Sequence, residues 1–550
     1  MNPIIYREFF GILRMRRATA AMVVLASAFA LMVLARWPSE GLVDLSGAQS
    51  RQVFRVFAYG LLGGVLLLAP AFPATSIVRE KKRGTLALLL NSPLSSASIY
   101  FGKLGGVLLF TALLLLTSLP AAAACFAMGG IDLAHDLGAI YGVLGLLAVE
   151  CVALGLLVST LAQSPAAAVR LTYAAVFAVV FATLGPNYLL QGQPGLLAIG
   201  AYWLRRLSPL PIVMQIVGQG SAGSPGLIEA SGVGEFLAIS SLFTVGVMVA
   251  TMLRLNHRLF DRARSQGKIT DDRSATVRGI RRLMFLVDPQ RRKSGIPFFM
   301  NPVMVKEFRT RRFGRIHWLL RLVAACAVIS LLLTMAATTG TMDWGVQTIG
   351  GLMVMLQVLL VVLITPSLTA GLISSERESG GWDLLRMTSL SGPRIVSGKL
   401  SSVAWTLLLV LLATAPGYIV MIYIKPAMWL QVKLVMICLL LTVLYTLTIS
   451  AAVGSWFSKT ATSTVAVYIV LMTLFLGPLL VWLGREAPFG HNTVQAALAI
   501  NPMGAALSVI EMPGFAQYEL FPLSWWIAGA ISVLALTALG ARVWQLMRPT

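Results

Sequence analysis

Residues 79–103, REKKRGTLALLLNSPLSSASIYFGK, return in the second half of the chain at residues 375–399 as SERESGGWDLLRMTSLSGPRIVSGK. Glu80 corresponds to Glu376 and Lys103 to Lys399, with no insertion or deletion between them. Both copies lie between long apolar segments. The chain therefore carries two related halves, each built around one copy of this polar loop.

Each copy predicts a charged start, a glycine break, a short helix and a turn. In the first copy Leu86 and Leu89 share one helix face, and the turn follows at residues 91–93; in the second, Trp382 and Leu385 occupy the corresponding face. A helix of one or two turns is marginal in water. It must pack either on the membrane helices of its own chain or on a partner protein, and the pattern alone leaves both open.

The composition is that of a polytopic membrane protein. Of the 550 residues, 57% are hydrophobic and 12% charged, whereas soluble domains carry about 25% charged residues. A helix needs about 20 apolar residues to span a bilayer. We predict an all-α protein of about 12 transmembrane helices in two parallel six-helix repeats, at residues 18–35, 56–77, 104–127, 138–160, 171–190, 233–253, 317–338, 347–373, 400–424, 431–455, 464–484 and 524–546.

The repeat predicts three parts: a first six-helix unit at residues 1–253, a basic cytoplasmic linker at 254–299 and a second unit at 300–550. The segment 18–35 follows basic residues, so it is either a cleaved signal peptide or an uncleaved first span. We favour a span, because its counterpart in the second half lies in mid-chain, where no signal peptide can lie.

The positions of Lys and Arg predict the orientation. Most of the 43 basic residues fall on one side if both termini, the two polar loops and the linker share it. By the positive-inside rule that side is cytoplasmic, in a plasma (inner) membrane. The net charge of +22 would suit nucleic acid, but topology and contact with lipid headgroups explain it better, and we expect no nucleic-acid partner.

A basic amphipathic helix precedes the first span of each half. Such a helix lies in the membrane interface, or docks a cytoplasmic partner. In both halves an Asn-Pro pair opens the helix as cap and first helical residue, and a glutamate follows on it. The residues are Asn2, Pro3 and Glu8 in the first half, and Asn301, Pro302 and Glu307 in the second.

These motifs resemble the type 2 permeases of ATP-binding-cassette transporters, and the resemblance covers nearly the whole chain twice. It implies two permease units fused in one chain, each with a coupling helix for a cytoplasmic ATPase. The second loop departs from the pattern, with Gly381 and Trp382 in place of Thr-Leu. By position, the implied coupling residues are Glu80, Gly84, Thr85, Leu86 and Leu89 in the first loop, and Glu376, Gly380, Trp382 and Leu385 in the second.

The resemblance implies the permease subunit of an ATP-driven exporter, or alternatively a membrane anchor that transmits force from an ATPase without moving a solute. The sequence has no GxxxxGK[ST] element. We therefore expect no enzyme activity and no bound cofactor in this chain, with ATP and magnesium on a separate ATPase present as two copies or as two different chains. The apolar interior would suit a lipid, peptide, drug, polysaccharide or ion.

Glu150 lies in the middle of the fourth predicted span. A charge at mid-bilayer costs about 2.5–3.5 kcal/mol on insertion scales. The carboxyl group therefore either contacts substrate or a proton path, or is protonated and hydrogen-bonded to a neighbouring helix. Its counterpart in the second half is Thr446, so either role would belong to one unit only.

Overall fold

A computed structural model describes residues 3–34, 48–189, 195–218, 232–255, 301–310, 346–483 and 489–548, with the isolated positions 324, 328 and 485. All regular secondary structure in these ranges is helical. The chain divides into two compact units, residues 1–265 with 479–494 and residues 266–478 with 495–550. The predicted linker lies outside the described residues from position 256 onward, and the predicted boundaries stay predictions.

The α-helices of the first half alternate between long apolar helices and short connecting ones. In chain order they are α1 (Pro3–Leu13), α2 (Arg16–Leu34), α3 (Ala48–Leu68), α4 (Ser76–Arg83), α5 (Thr85–Leu90), α6 (Ser96–Leu116), α7 (Leu119–Ala127), α8 (Ala139–Leu161), α9 (Pro165–Phe177), α10 (Leu184–Leu189), α11 (Leu196–Arg205), α12 (Leu210–Ile216) and α13 (Val233–Arg254).

The α-helices of the second half follow the same general order. They are α14 (Pro302–Thr310), α15 (Val346–Thr369), α16 (Gly371–Ser379), α17 (Gly381–Arg386), α18 (Gly392–Ala413), α19 (Ala415–Ile424), α20 (Trp429–Ser455), α21 (Thr460–Leu483), α22 (His491–Ala499), α23 (Pro502–Val509) and α24 (Leu523–Met547).

The described residues confirm a polytopic helical membrane protein. Ten helical segments are long and apolar enough to cross a bilayer, and each overlaps a predicted span: Ser50–Arg83, Ser96–Ala127, Leu133–Leu161, Pro165–Asn187, Val233–Arg254, Gln347–Ser379, Gly392–Ile424, Pro426–Ser455, Thr460–Trp482 and Leu523–Met547. The predicted first span lies in the bent pair Pro3–Leu13 and Ala18–Met32, which would make eleven. The prediction at 317–338 falls outside the described residues, apart from two isolated positions.

The fourth span of each unit is the most deeply buried of the ten. In Leu133–Leu161 72% of the apolar window is buried, and in Pro426–Ser455 67%, against 28% and 22% for the last spans Val233–Arg254 and Leu523–Met547. Apolar residues of α3, α8 and α13 form the main core of the first unit. The fourth span is thus the central helix of each unit, and most of its side chains face other helices.

Candidate functional site

A glycine in the left-handed conformation separates the second span from the predicted coupling helix in both units. Gly84 has φ 77° and Gly380 has φ 74°. A side chain at such φ values is strained, whereas glycine adopts them freely. The chain therefore turns sharply at the end of α4 and of α16, and the short helices Thr85–Leu90 and Gly381–Arg386 begin directly after the turn.

In each predicted coupling helix, the residues that the sequence spacing places together on one face are not the most exposed ones. Leu86 is fully buried and Trp382 is 4% exposed, so both cover the chain's own helices and present nothing to a partner. The outward apolar side chains are Leu88, 72% exposed, and Leu384, 69% exposed. These two occupy matching positions in the repeat. Leu89 and Leu385 are half-buried.

The inner face of each coupling helix rests near the end of the last span of its own unit. Leu86 belongs to an apolar cluster that includes Leu255, the residue after α13. In the second unit the indole Nε1 of Trp382 donates to the carbonyl of Leu546, 3.2 Å away, and the Arg386 guanidinium donates to the carbonyl of Arg548 at 2.6 Å. The glycine turn and these contacts with the end of the last span fix the position of each coupling helix.

A buried ion cluster joins the first interface helix to the second and third spans. Lys103 Nζ lies 2.9 Å from Glu8 Oε1, 2.7 Å from Glu80 Oε2 and 3.3 Å from Ser76 Oγ, and its side chain is 1% exposed. The ammonium donates hydrogen bonds to Glu8 and Ser76, whereas its contact with Glu80 is an ion pair without a hydrogen bond. Arg7 Nη2 bridges the two carboxylates from outside, at 2.9 Å and 2.8 Å.

The second unit carries the same cluster. Lys399 Nζ lies 2.7 Å from Glu307 Oε1 and 3.0 Å from Glu376 Oε1, with the lysine side chain 3% exposed. Lys306 takes the place of the outer arginine, 3.2 Å from Glu376. A buried charge requires partners that offset its desolvation. In each unit, four charged residues therefore form one ion cluster that connects three structural elements.

The four glutamates of these clusters are candidate residues from the sequence, but their four cationic partners were missed as functional residues. The two lysines end the repeated loop, and this was the only signal in the sequence. Arg7 and Lys306 each directly precede the glutamate of an interface helix, a position that carries no signal without the three-dimensional contacts.

The electrostatics of the first cluster favour the ionised form of Glu8. Burial raises the pKa of Glu8, but the Lys103 ammonium and the Arg7 guanidinium together lower it by more. The pKa of Glu8 therefore lies below its ordinary value of 4.5. The glutamate is a permanent anion at neutral pH, and the joint it forms is an ion pair.

The interface helices lie directly on the third spans because glycines permit close approach. A Cβ added at Gly106 would come within 2.6 Å of Glu8 Cβ, and one at Gly398 within 2.6 Å of Asn301 Oδ1. Asn301 caps its helix by accepting from Val303 N at 3.0 Å, and its amide donates to the carbonyl of Arg394 at 2.7 Å.

The remaining candidates of this region occupy their predicted positions. Pro3 and Pro302 are the first residues of α1 and α14, while Asn2 lies outside the described residues. Thr85 Oγ donates to the Glu80 carbonyl at 3.4 Å, across the glycine turn. In each unit the structure thus brings the glutamate of the interface helix and the glutamate of the coupling loop together around one lysine.

Glu150 is not part of either ion cluster. Its side chain is buried in the centre of α8, 1% exposed, and Ser240 Oγ of α13 donates to Glu150 Oε2 at 2.6 Å. The other carboxylate oxygen, Oε1, has no hydrogen-bond partner. The contact is the one expected for a carboxyl group hydrogen-bonded to a neighbouring helix; it assigns no substrate or proton role.

Among the residues that the structure describes, no three His, Cys, Asp or Glu side chains come together in a group that could hold a metal ion. The ammonium groups of Lys103 and Lys399 contact carboxylates of their own unit. The described arrangement can connect helices to one another and present an apolar surface. Its role is therefore structural or mechanical.

Comparison with known proteins gives one match. Residues 4–264, the first half of the chain with the start of the linker, match the profile of the family described as ABC-2 family transporter protein. No curated protein matches the chain.

Proposed function

We propose that this chain, whose residues 4–264 match the family described as ABC-2 family transporter protein, is the permease subunit of an ATP-driven exporter coupled to a separate cytoplasmic ATPase. The family and the ten apolar spans establish a multi-pass membrane permease. The direction of transport and the ATPase partner are the parts that we add.

The observation that carries this proposal is the exposure of one leucine on each coupling helix. Leu88 and Leu384 are 72% and 69% exposed on short helices whose inner faces are buried through Leu86 and Trp382. An exposed apolar side chain on a fixed helix is the kind of anchor that fills a pocket in a partner protein. Met387, 84% exposed, extends this surface in the second unit.

The ion cluster of each unit can transmit a displacement of the coupling helix to the membrane helices of that unit. The ion cluster connects the end of the second span, through Glu80, to the third span, through Lys103, and to the interface helix, through Glu8. A displacement of the coupling helix would therefore carry three elements together. Glu376, Lys399 and Glu307 supply the same connection in the second unit.

The ATPase supplies the chemistry that this chain lacks. ATP and magnesium bind to that partner, which is present as two identical copies or as two different chains. Both termini and both coupling helices face the cytoplasm, in an inner membrane whose anionic headgroups contact the basic segments. The resemblance to exporters, together with the apolar interior of the spans, supports export of the substrate.

Co-purification tests the coupling. We expect a protein that carries a GxxxxGK[ST] element and hydrolyses ATP to co-purify with the wild-type chain in mild detergent, and to be lost with Leu88→Asp/Leu384→Asp. Leu133→Asp is the matched control, because Leu133 is 63% exposed at the opposite end of the membrane helices. Retention by the double variant, with all three proteins folded, would refute docking through these leucines. A coupled complex that moves no solute in vesicles would support the membrane anchor instead.

A further inference from the structure

The second span of each unit carries a proline at the same place in the repeat, Pro70 or Pro366, and its helix breaks at or shortly after that proline. In the first unit α3 ends at Leu68, Pro70 and Pro73 follow, and helix resumes at Ser76. In the second unit Pro366 lies inside α15, which ends at Thr369, and helix resumes at Gly371. Proline removes a backbone donor and clashes with the preceding turn, so both spans contain a built-in weak point.

In each unit a tyrosine hydroxyl from the fifth span bonds to the helix backbone just before the proline. Tyr173 donates to the carbonyl of Leu67 at 2.5 Å, and Tyr468 donates to the carbonyl of Leu363 at 2.8 Å. Each carbonyl belongs to the residue three positions before the proline. Both rings are buried, with 4% and 2% exposure. In the first unit Ala71 N bonds to the carbonyl of Leu68, so the tyrosine takes the place of the usual helical donor to Leu67.

In each unit a glycine of the fourth span packs closely against the backbone at the helix break. A Cβ added at Gly155 would lie 2.7 Å from Pro73 Cγ, and one at Gly454 would lie 3.1 Å from the carbonyl oxygen of Ala370. With glycine there, the interrupted backbone rests on a surface without side chains. The interruptions can then change angle without driving a side chain into the most deeply buried helix of the unit.

We propose that the interruption in the second span of each unit is a hinge, and that the hydroxyls of Tyr173 and Tyr468 are latches that hold it in the described conformation. The two tyrosines are positioning residues, since they act on the backbone of the second span. The part that the hinge plays in transport rests on the proposed function; the latch itself does not.

Hydrogen–deuterium exchange of the purified chain tests the latch without any partner. Removing one hydroxyl with Tyr173→Phe or Tyr468→Phe should speed amide exchange about threefold to tenfold in residues 66–78 or 362–374 of the same unit. Pro70→Ala, which restores a backbone donor, should slow exchange in residues 66–78. Unchanged exchange in the phenylalanine variants would overturn the proposal.

Two control variants separate the latch from general loosening. Tyr141 and Tyr418 also bond through their hydroxyls to a neighbouring group, Ser118 Oγ at 2.6 Å and Gln357 Oε1 at 3.0 Å, away from the interruptions. Tyr141→Phe and Tyr418→Phe should leave exchange at both interruptions within twofold of the wild type. Equal acceleration by the controls would also overturn the proposal.

The complex with its ATPase tests whether the hinge moves in the transport cycle. A non-hydrolysable ATP analogue should increase exchange at both interruptions of the wild-type chain by at least threefold. In Tyr173→Phe/Tyr468→Phe, where exchange is already fast, the analogue should change it less than twofold. No response in a wild-type complex would contradict a gating hinge. If no ATPase binds at all, the proposed function fails, whereas the first experiment still decides the latch.

Discussion

Replacing Lys103 with methionine removes the one cation that contacts three residues of the first ion cluster. Methionine keeps the length and apolar stem of the side chain, so the change isolates the charge. Removing one partner of a buried ion pair costs about 3–5 kcal/mol, because the remaining charge stays buried. Glu8 and Glu80 are 19% and 16% exposed and keep Arg7 beside them, so we expect the lower end, about 3 kcal/mol.

Thermal unfolding in detergent, followed by tryptophan fluorescence, measures this loss. For a unit of this size 3 kcal/mol corresponds to a fall in Tm of about 6–12 °C. Replacing the three inner charges, with Glu8→Gln/Glu80→Gln/Lys103→Met, should recover more than half of the loss. No buried charge is then left unpaired, because the remaining cation, Arg7, has a side chain that is 52% exposed to water. The reasoning is refuted if Lys103→Met shifts Tm by less than about 2 °C, or if the triple variant is no more stable than the single one.

Three further changes extend this test. Lys399→Met should lower Tm by more than Lys103→Met does, because the interface-helix glutamate beside Lys399 is only 5% exposed, against 19% in the first unit; an equal or smaller shift contradicts this. The folded-state pKa of Glu8 lies below 4.5, so its pairing stabilises the fold fully above about pH 4.5 and the contribution is lost as pH falls through the folded pKa. The Tm difference between wild type and Glu8→Gln should thus be constant from about pH 7 to 5 and shrink as the pH falls below about 4.5; a difference that grows on acidification has the wrong sign. Ser240→Ala leaves the Glu150 carboxyl without its hydrogen-bond donor and should lower the free energy of unfolding by about 1–3 kcal/mol. The loss is measured as a fall in Tm, and an unchanged Tm would contradict the prediction.

The spans could be predicted from sequence because burial in a bilayer leaves a local signal. Ten predicted spans overlap described helices, since about 20 consecutive apolar residues suffice to identify each one. Their interruptions were not predicted. A proline within an apolar run kinks, breaks or merely bends a helix, and the outcome depends on what packs against it. At Pro70 and Pro366 that neighbour is a tyrosine about a hundred residues further along the chain.

The outward face of the coupling helices could not be assigned from the sequence for a related reason. Leu86 and Leu89 satisfy the helical spacing of an apolar stripe, and such a stripe normally faces the protein's own core. In a six-residue helix with four leucines both faces are apolar, so spacing alone cannot assign the exposed one. Only part of each ion cluster could be predicted from the sequence. The glutamates lie in the repeated motifs, but the contacts of Glu8 with Lys103 and of Glu307 with Lys399 join segments more than ninety residues apart.

Site-specific photo-crosslinking would show whether the exposed leucines contact an ATPase. A photoreactive phenylalanine analogue is placed at Leu88, at Leu384 or, as control, at Leu133, and cells that express the full chain are irradiated. Crosslinks from the first two positions to a protein that carries a GxxxxGK[ST] element, with none from the third, would support the proposed coupling. Folded protein at all three positions with no such crosslink from Leu88 or Leu384 would contradict it.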